Sequence, residues 1–184
     1  MMPDPHRIPV LAQAFYFLRH GETTANRDQT IAGSLDVDLT ELGRSQACGA
    51  IKPLTGAGIT AIYSSGLQRA RDTAAIIAEA LKLKVTPIPE LNERNWGELE
   101  GKPRVLRVHG VTTPGAETRE QYMNRTVAGL AKIPATGVPL IVAHSGTYRV
   151  LCRLLGHTES AEPVANCQPV RITPLGDGWC FEPF

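Results

Sequence analysis

The sequence predicts an α/β fold: a three-layer α/β/α domain with a mainly parallel central sheet, helices on both faces and an antiparallel edge formed by a C-terminal hairpin. Three observations carry this. Short apolar runs alternate along the chain with amphipathic segments. The runs are continuously apolar, as strands buried on both faces must be. The tail "PVRITPLGDGWCFEPF" alternates around "GDG" in the manner of a hairpin. The 184 residues fit a single domain, 1–184, with 1–13 as a loose leader punctuated by Pro3, Pro5 and Pro9.

The elements follow in order. "AFYFLR" (14–19) is short and apolar, stops at Gly21 and reads as a buried strand. A polar loop runs to about Leu39, and Thr40 then caps a helix through "TELGRSQACGAIKPL", in which Gly43 is a weak point. "ITAIYS" (59–64) is a second strand. The helix in "SSGLQRARDTAAIIAEALKL" sets Leu67, Ala70, Ala74, Ile77, Ala78 and Leu81 near one face. Residues 84–88 form a short strand, and 91–117 are loop-rich. Thr118 and Gln121 have capping-box spacing for a helix to about Lys132. "PLIVA" (139–143) is a further buried strand, ending at "HSG" before a helix through Leu155.

A formal net charge of +1 gives no sign of a nucleic-acid or membrane partner. Cys48, Cys152, Cys167 and Cys180 show no C-x-x-C spacing and read as free thiols of a reducing compartment. "MMPDPHRIPVLAQ" has no apolar run of signal-peptide length, and no stretch reaches transmembrane length. The expected location is cytoplasmic.

In open α/β sheets, ligands bind at the carboxyl ends of strands. Three such ends here carry Arg19-His20-Gly21-Glu22-Thr23, Ser64-Ser65-Gly66 with Arg69 just beyond, and His144-Ser145-Gly146. Two arginines and two histidines therefore gather at one crevice, where an anion is needed to relieve their repulsion. Phosphate suits the planar guanidinium fork. Fixed cationic donors also stabilise the transition state of phosphoryl transfer. His20 can attack phosphorus through a neutral ring nitrogen, provided the other nitrogen keeps its proton. A carboxylic acid must protonate the leaving group, and composition alone does not select which one.

These blocks resemble the histidine phosphatase superfamily, the phosphoglycerate mutase-like family. "LRHGETTAN" is similar to its opening motif, "LTELGRSQA" to the helix after it, and "YSSGLQRARDTA" to the segment with the second arginine. "LNERNWGELEG" is similar to the proton-donor segment. "PGAETREQYMNRTV" and "VAHSG" complete the order, from about residue 15 to 179. The resemblance implies that His20 becomes phosphorylated and that Glu93 donates and then accepts the proton. It also implies that Arg19, Arg69 and His144 hold the phosphoryl oxygens, that Asn26 contacts phosphate, and that Thr23 and Ser145 join the substrate site. It implies a metal-independent phosphoric monoester hydrolase with no cofactor and no metal, acting on a small phosphorylated substrate. A homodimer is the one assembly left open. Only twelve residues, 102–113, separate Gly101 from Pro114, where many relatives carry a longer cap. That favours hydrolysis over mutase action.

Two alternatives stand beside it: a phosphoglycerate mutase-type phosphotransferase, and a non-catalytic phosphate-binding regulatory module. The second would have no need of a proton donor. His6, His109 and His157 read as structural, Arg71 as solvated and Glu117 as support for the helix start at Thr118. Glu22, Glu98, Glu100 and Glu117 are rival carboxylates to Glu93. "DVDLT" (36–40) matches the D-x-D-x-T pattern of aspartate-nucleophile phosphatases but lacks the buried strand such a site follows.

Overall fold

A computed structural model of the chain describes residues 7–108, 110–157 and 164–184. The strands are β1 (Phe15–Arg19), β2 (Ala61–Ser65), β3 (Val85–Ile88), β4 (Pro139–Ala143), β5 (Pro169–Leu175) and β6 (Gly178–Pro183). The helices are α1 (Thr24–Arg27), α2 (Glu41–Leu54), α3 (Gln68–Leu81), α4 (Arg119–Leu130) and α5 (Ser145–Leu154). One six-stranded sheet has the order β3-β2-β4-β1-β5-β6. The first four strands pair in parallel, and β5 and β6 add an antiparallel hairpin at the edge. Pro87 is tolerated because β3 lies on the other edge.

Both faces are buried, and the alternation along β1 shows how. Phe15 and Phe17 join one core with Ile141, Leu130 and Leu151, beneath α4 and α5. Tyr16 and Leu18 join the other with Val142, Ala47 and Ile77, beneath α2 and α3. A strand apolar at every position is thus the imprint of helices on both sides. Among the described residues no helix is long and apolar enough to cross a membrane, and all four cysteines are free.

Two expectations need correction. Residues 7–13 are not loose: Pro9–Ala12 form a 3-10 helix, and Ile8, Val10 and Leu11 are buried in the α4/α5 core. Their apolar side chains outweigh the disruptive prolines; residues 1–6 lie outside the described set. The second strand begins at Ala61 rather than at 59 and runs to Ser65, because its parallel ladder with β4 starts at the Ala61–Pro139 pair.

Gly43 has a positive reason to be in α2. A Cβ there would fall well inside van der Waals contact of the Glu22 carbonyl oxygen, and one on Gly21 would strike the Gly43 carbonyl. Two backbones therefore meet without side chains, drawing α2 against the loop that carries His20. Gly49, in the same helix, has no atom near its would-be Cβ. Gly43→Ala is expected to destabilise by about 1–3 kcal/mol through overpacking, and Gly49→Ala to stabilise by roughly 0.5–1 kcal/mol through helix propensity. Urea unfolding of the two variants checks the opposite signs.

Candidate active site

β1 and β4 are adjacent, but the chain leaves β1 toward the α2/α3 face and leaves β4 into α5 on the opposite face. Their carboxyl ends open a crevice at this switch point. His20 continues the ladder, its N–H donating to the Ala143 carbonyl at 3.0 Å. Its own carbonyl accepts from Asn166 Nδ2 at 2.7 Å, Gly21 N–H donates to Thr73 Oγ1, and Glu22 N–H donates to Gln46 Oε1. The backbone at His20 is fixed from every side.

The His20 ring is 5% exposed, and its Nδ1 lies 2.7 Å from the Gly21 carbonyl. A carbonyl only accepts, so Nδ1 carries the proton and Nε2 keeps its lone pair. Burial first, then the charges of Arg69 and Arg19, hold the His20 pKa well below the usual histidine value.

The His144 ring centroid lies 5.2 Å from that of His20. Its tautomer also follows from its partners. Ser65 Oγ donates to Asn92 Oδ1 at 3.0 Å and accepts from Leu67 N–H at 3.1 Å, while Asn92 Oδ1 also accepts from Gly66 N–H. With the hydroxyl proton committed, His144 Nε2 must donate to Ser65 Oγ at 2.7 Å. Nδ1 is left buried with no partner, and burial together with Arg69 and His20 depresses the His144 pKa strongly.

Arg69 is 1% exposed and donates to the Gly33 carbonyl at 2.7 Å and the Leu35 carbonyl at 2.8 Å. Arg19 Nη1 donates to the Val164 carbonyl at 3.0 Å, and its Nε is buried without a partner. Buried donors are normally satisfied. The unpartnered Arg19 Nε and the bare His144 Nδ1 both belong to the four-residue cationic cluster.

Glu93 follows a 3-10 turn, Pro89–Leu91, at the end of β3. Its Oε1 accepts from Arg94 N–H at 2.8 Å and its Oε2 from Gly146 N–H at 3.1 Å, at the start of α5. Arg125 holds this loop: it donates to the carbonyls of Glu90, Asn92 and Glu93 and pairs through two nitrogens with the Glu117 carboxylate, each at 2.7 Å. Glu117 therefore braces the Glu93 loop, and the start of α4 is capped instead by Thr118 with Gln121. Tyr122 is buried near Glu93, and burial and that charge raise its hydroxyl pKa well above the usual value.

Arg19, His20, Thr23, Asn26, Arg69, Glu93 and Ser145 line one cleft of about 840 Å³. His144 lies fully buried beside it, against His20. Thr23 and Asn26 cap α1 reciprocally, which occupies the Asn26 carbonyl oxygen and leaves its amide nitrogen over. None of the rival carboxylates lines the cleft. Glu22 accepts from Thr40, Glu100 from Ser34 and Trp96, and Glu117 from Arg125. The "DVDLT" segment is no strand end: Asp36 accepts from Gln68 N–H at the start of α3, and Asp38 from the Gln68 side chain. His157 stacks on Phe181 at 4.1 Å; His6 and His109 lie outside the described residues.

The sequence reading missed Ser65, Asn92, Tyr122 and Arg125, whose roles arise from contacts far apart in the chain. It also missed the cleft arginines 94, 104, 107, 119, 149 and 153. The 149/153 pair alone left a signal, an i, i+4 repeat on one face of α5.

The model of the histidine phosphatase superfamily (branch 1) matches residues 15–182. "Probable phosphoglycerate mutase GpmB" of Yersinia pestis (strain Pestoides F) is 34% identical over 193 aligned residues, covering 91% of this chain and 90% of its own length. Among solved structures, phosphoglycerate mutase from Bacillus anthracis str. Sterne superposes with a TM-score of 0.80 at 25% identity, covering 93% of this chain and 92% of its own. "Mycobacterial hydrolase 1" gives 0.77 at 26% identity, covering 92% and 97%. With the motifs in family order and the matching sheet beneath them, the chain belongs to the histidine phosphatase superfamily, branch 1.

Proposed function

We propose that the protein hydrolyses a phosphate monoester through a phosphohistidine on His20. The observation that carries this reading is the Nδ1–H bond from His20 to the Gly21 carbonyl. It leaves the Nε2 lone pair of a neutral ring unprotonated in the cleft that Arg19 and Arg69 line, with His144 buried alongside. In the first step Nε2 bonds to phosphorus as the P–O bond to the leaving group breaks. Glu93, in its acid form, delivers a proton to the departing oxygen. In the second step the Glu93 carboxylate takes a proton from water, the water oxygen bonds to phosphorus and the P–N bond breaks. Arg19 and Arg69 hold the equatorial oxygens throughout. His144 can donate from Nδ1 only as an imidazolium, and a phosphate dianion beside it would favour that form.

Transfer back to an acceptor, the mutase reaction named for the curated relatives, is the second reading. The segment 102–113 supports hydrolysis instead. Among its described residues it forms one short 3-10 turn, Arg104–Leu106, with Val105 87% exposed, a thin cover for excluding water from an intermediate.

His20→Ala is expected to abolish turnover of every phosphomonoester, assayed with EDTA present. Glu93→Gln should slow alkyl phosphates by about 10²–10⁴-fold. It should spare the first half-reaction on p-nitrophenyl phosphate, whose leaving group needs no proton, so that a burst of nitrophenol precedes slow turnover. Equal first-step losses on both substrates would remove Glu93 from the role of leaving-group acid.

The depressed His20 pKa keeps the nucleophile neutral at lower pH than an ordinary histidine. On p-nitrophenyl phosphate, whose first step needs no acid, the acid limb of the kcat/KM profile, corrected for the substrate phosphate's own ionisation near pH ~6, should therefore stay level down to about pH 6.5 and fall only below it. A half-maximal point at or above the ordinary histidine value would contradict this assignment.

Interconversion of 2- and 3-phosphoglycerate should be negligible beside hydrolysis, as followed by phosphorus NMR. Efficient interconversion would establish the mutase reading.

A further inference from the structure

The cleft is far more basic than the chain. Among the described residues, eight of the chain's fourteen arginines line it in a protein of net charge +1, together with no lysine and a single carboxylate, Glu93. Arg19 and Arg69 serve the scissile phosphate. The others come from separate elements: Arg94 from the loop after β3, Arg104 and Arg107 from the 102–113 segment, Arg119 from the start of α4, and Arg149 and Arg153 from α5.

Among the described residues, Arg107, Arg119, Arg149 and Arg153 pair with no carboxylate. Some are held in place by other means. The Arg94 and Arg107 guanidiniums both lie over the Trp96 ring, 4.4 and 4.2 Å from its centroid. Arg94 is further tied through Nε and Nη2 to the Glu117 carbonyl. Arg149 and Arg153 repeat at i, i+4, a spacing unfavourable for like charges. After burial, the neighbours Arg149, Arg94 and Arg119 each push the Arg107 pKa down, so these cations repel one another across the cleft. Guanidiniums without carboxylate partners that repel one another favour an anion between them, and the forked donor geometry suits phosphoryl oxygens.

We propose that the cleft holds a second anion site, formed by Arg94, Arg107, Arg119, Arg149 and Arg153, and that the substrate's leaving group carries a second phosphoryl group to fill it. A dianion matches this excess of guanidinium better than a single carboxylate does. The inference rests on the phosphatase reading of the same cleft.

The test measures binding of inert analogues to the wild-type protein by calorimetry. The probes are α,ω-alkane bisphosphonates of graded length, alkyl phosphonates and ω-phosphonocarboxylates of matched length. At one preferred length the bisphosphonate should bind about tenfold or more tightly than the alkyl phosphonate, the gain expected of one to two charge-assisted contacts. That advantage should shrink at high salt and collapse in the Arg149→Gln/Arg153→Gln double variant, whose fold is checked by its unfolding midpoint. If that variant fails to fold, Trp96→Ala, which frees Arg94 and Arg107, should lose selectivity in its place. A bisphosphonate that binds no tighter than the alkyl phosphonate at every length overturns the second site, and so does a phosphonocarboxylate that equals it. Hydrolysis of alkyl phosphates alongside that result would leave the phosphatase reading standing. Tight bisphosphonate binding with no hydrolysis of any phosphomonoester would overturn that reading, and with it the leaving-group assignment.

Discussion

Holding positive charge out of water is the constraint from which the rest of this site follows. Arg69 is 1% exposed, yet its charge is retained because two backbone carbonyls take its N–H groups. The two histidines respond in the opposite way: beside those arginines they are driven toward the neutral form. One arrangement thus yields both a cationic cradle and an uncharged imidazole at His20. Removing the Gly21 carbonyl contact would free the His20 proton to sit on either nitrogen, and the ring would no longer present one defined lone pair.

Glu93 shows the same dependence on distant support. Its carboxylate rests on two backbone N–H groups, one of them from Gly146. A Cβ at Gly146 would collide with Glu93 Oε1 and lie 2.7 Å from the Tyr122 hydroxyl. The glycine of "HSG" thus makes room for the Glu93 carboxylate, as Gly21 and Gly43 make room for each other beside His20. Arg125 fastens three carbonyls of the Glu93 loop to α4, so Glu93 is located by a residue that does not line the cleft.

The sequence reveals what is local. β4 was readable to its ends because every position is apolar, and the caps at Thr40 and Thr118 were readable because their partners lie three residues on. His20, Glu93, Arg69 and His144 were singled out through their motif blocks, and the fold brings them together at or beside one cleft. The short helix α1 was missed because one turn has no period. The leader was misread because three prolines obscured Ile8, Val10 and Leu11. The Ser65–Asn92 relay and the Arg125 brace join residues 27 to 35 positions apart, and no local pattern reports such contacts. The arginines on the segment 102–113 had no helix or strand to assign them a direction.

The residues of the proposed chemistry and those of the rim differ in their attachment. His20 and Arg69 are buried and held through backbone carbonyls, and His144 is buried against the Ser65 hydroxyl, so a change there disturbs the core of the fold. Arg104, Arg107, Arg119, Arg149 and Arg153 stand on exposed positions, where substitutions generally alter stability by only about 0.5 kcal/mol or less. The rim can therefore drift while the buried cluster stays fixed. Such a scaffold can exchange surface residues one at a time, each intermediate still folded and still carrying His20, Arg69 and His144 in place.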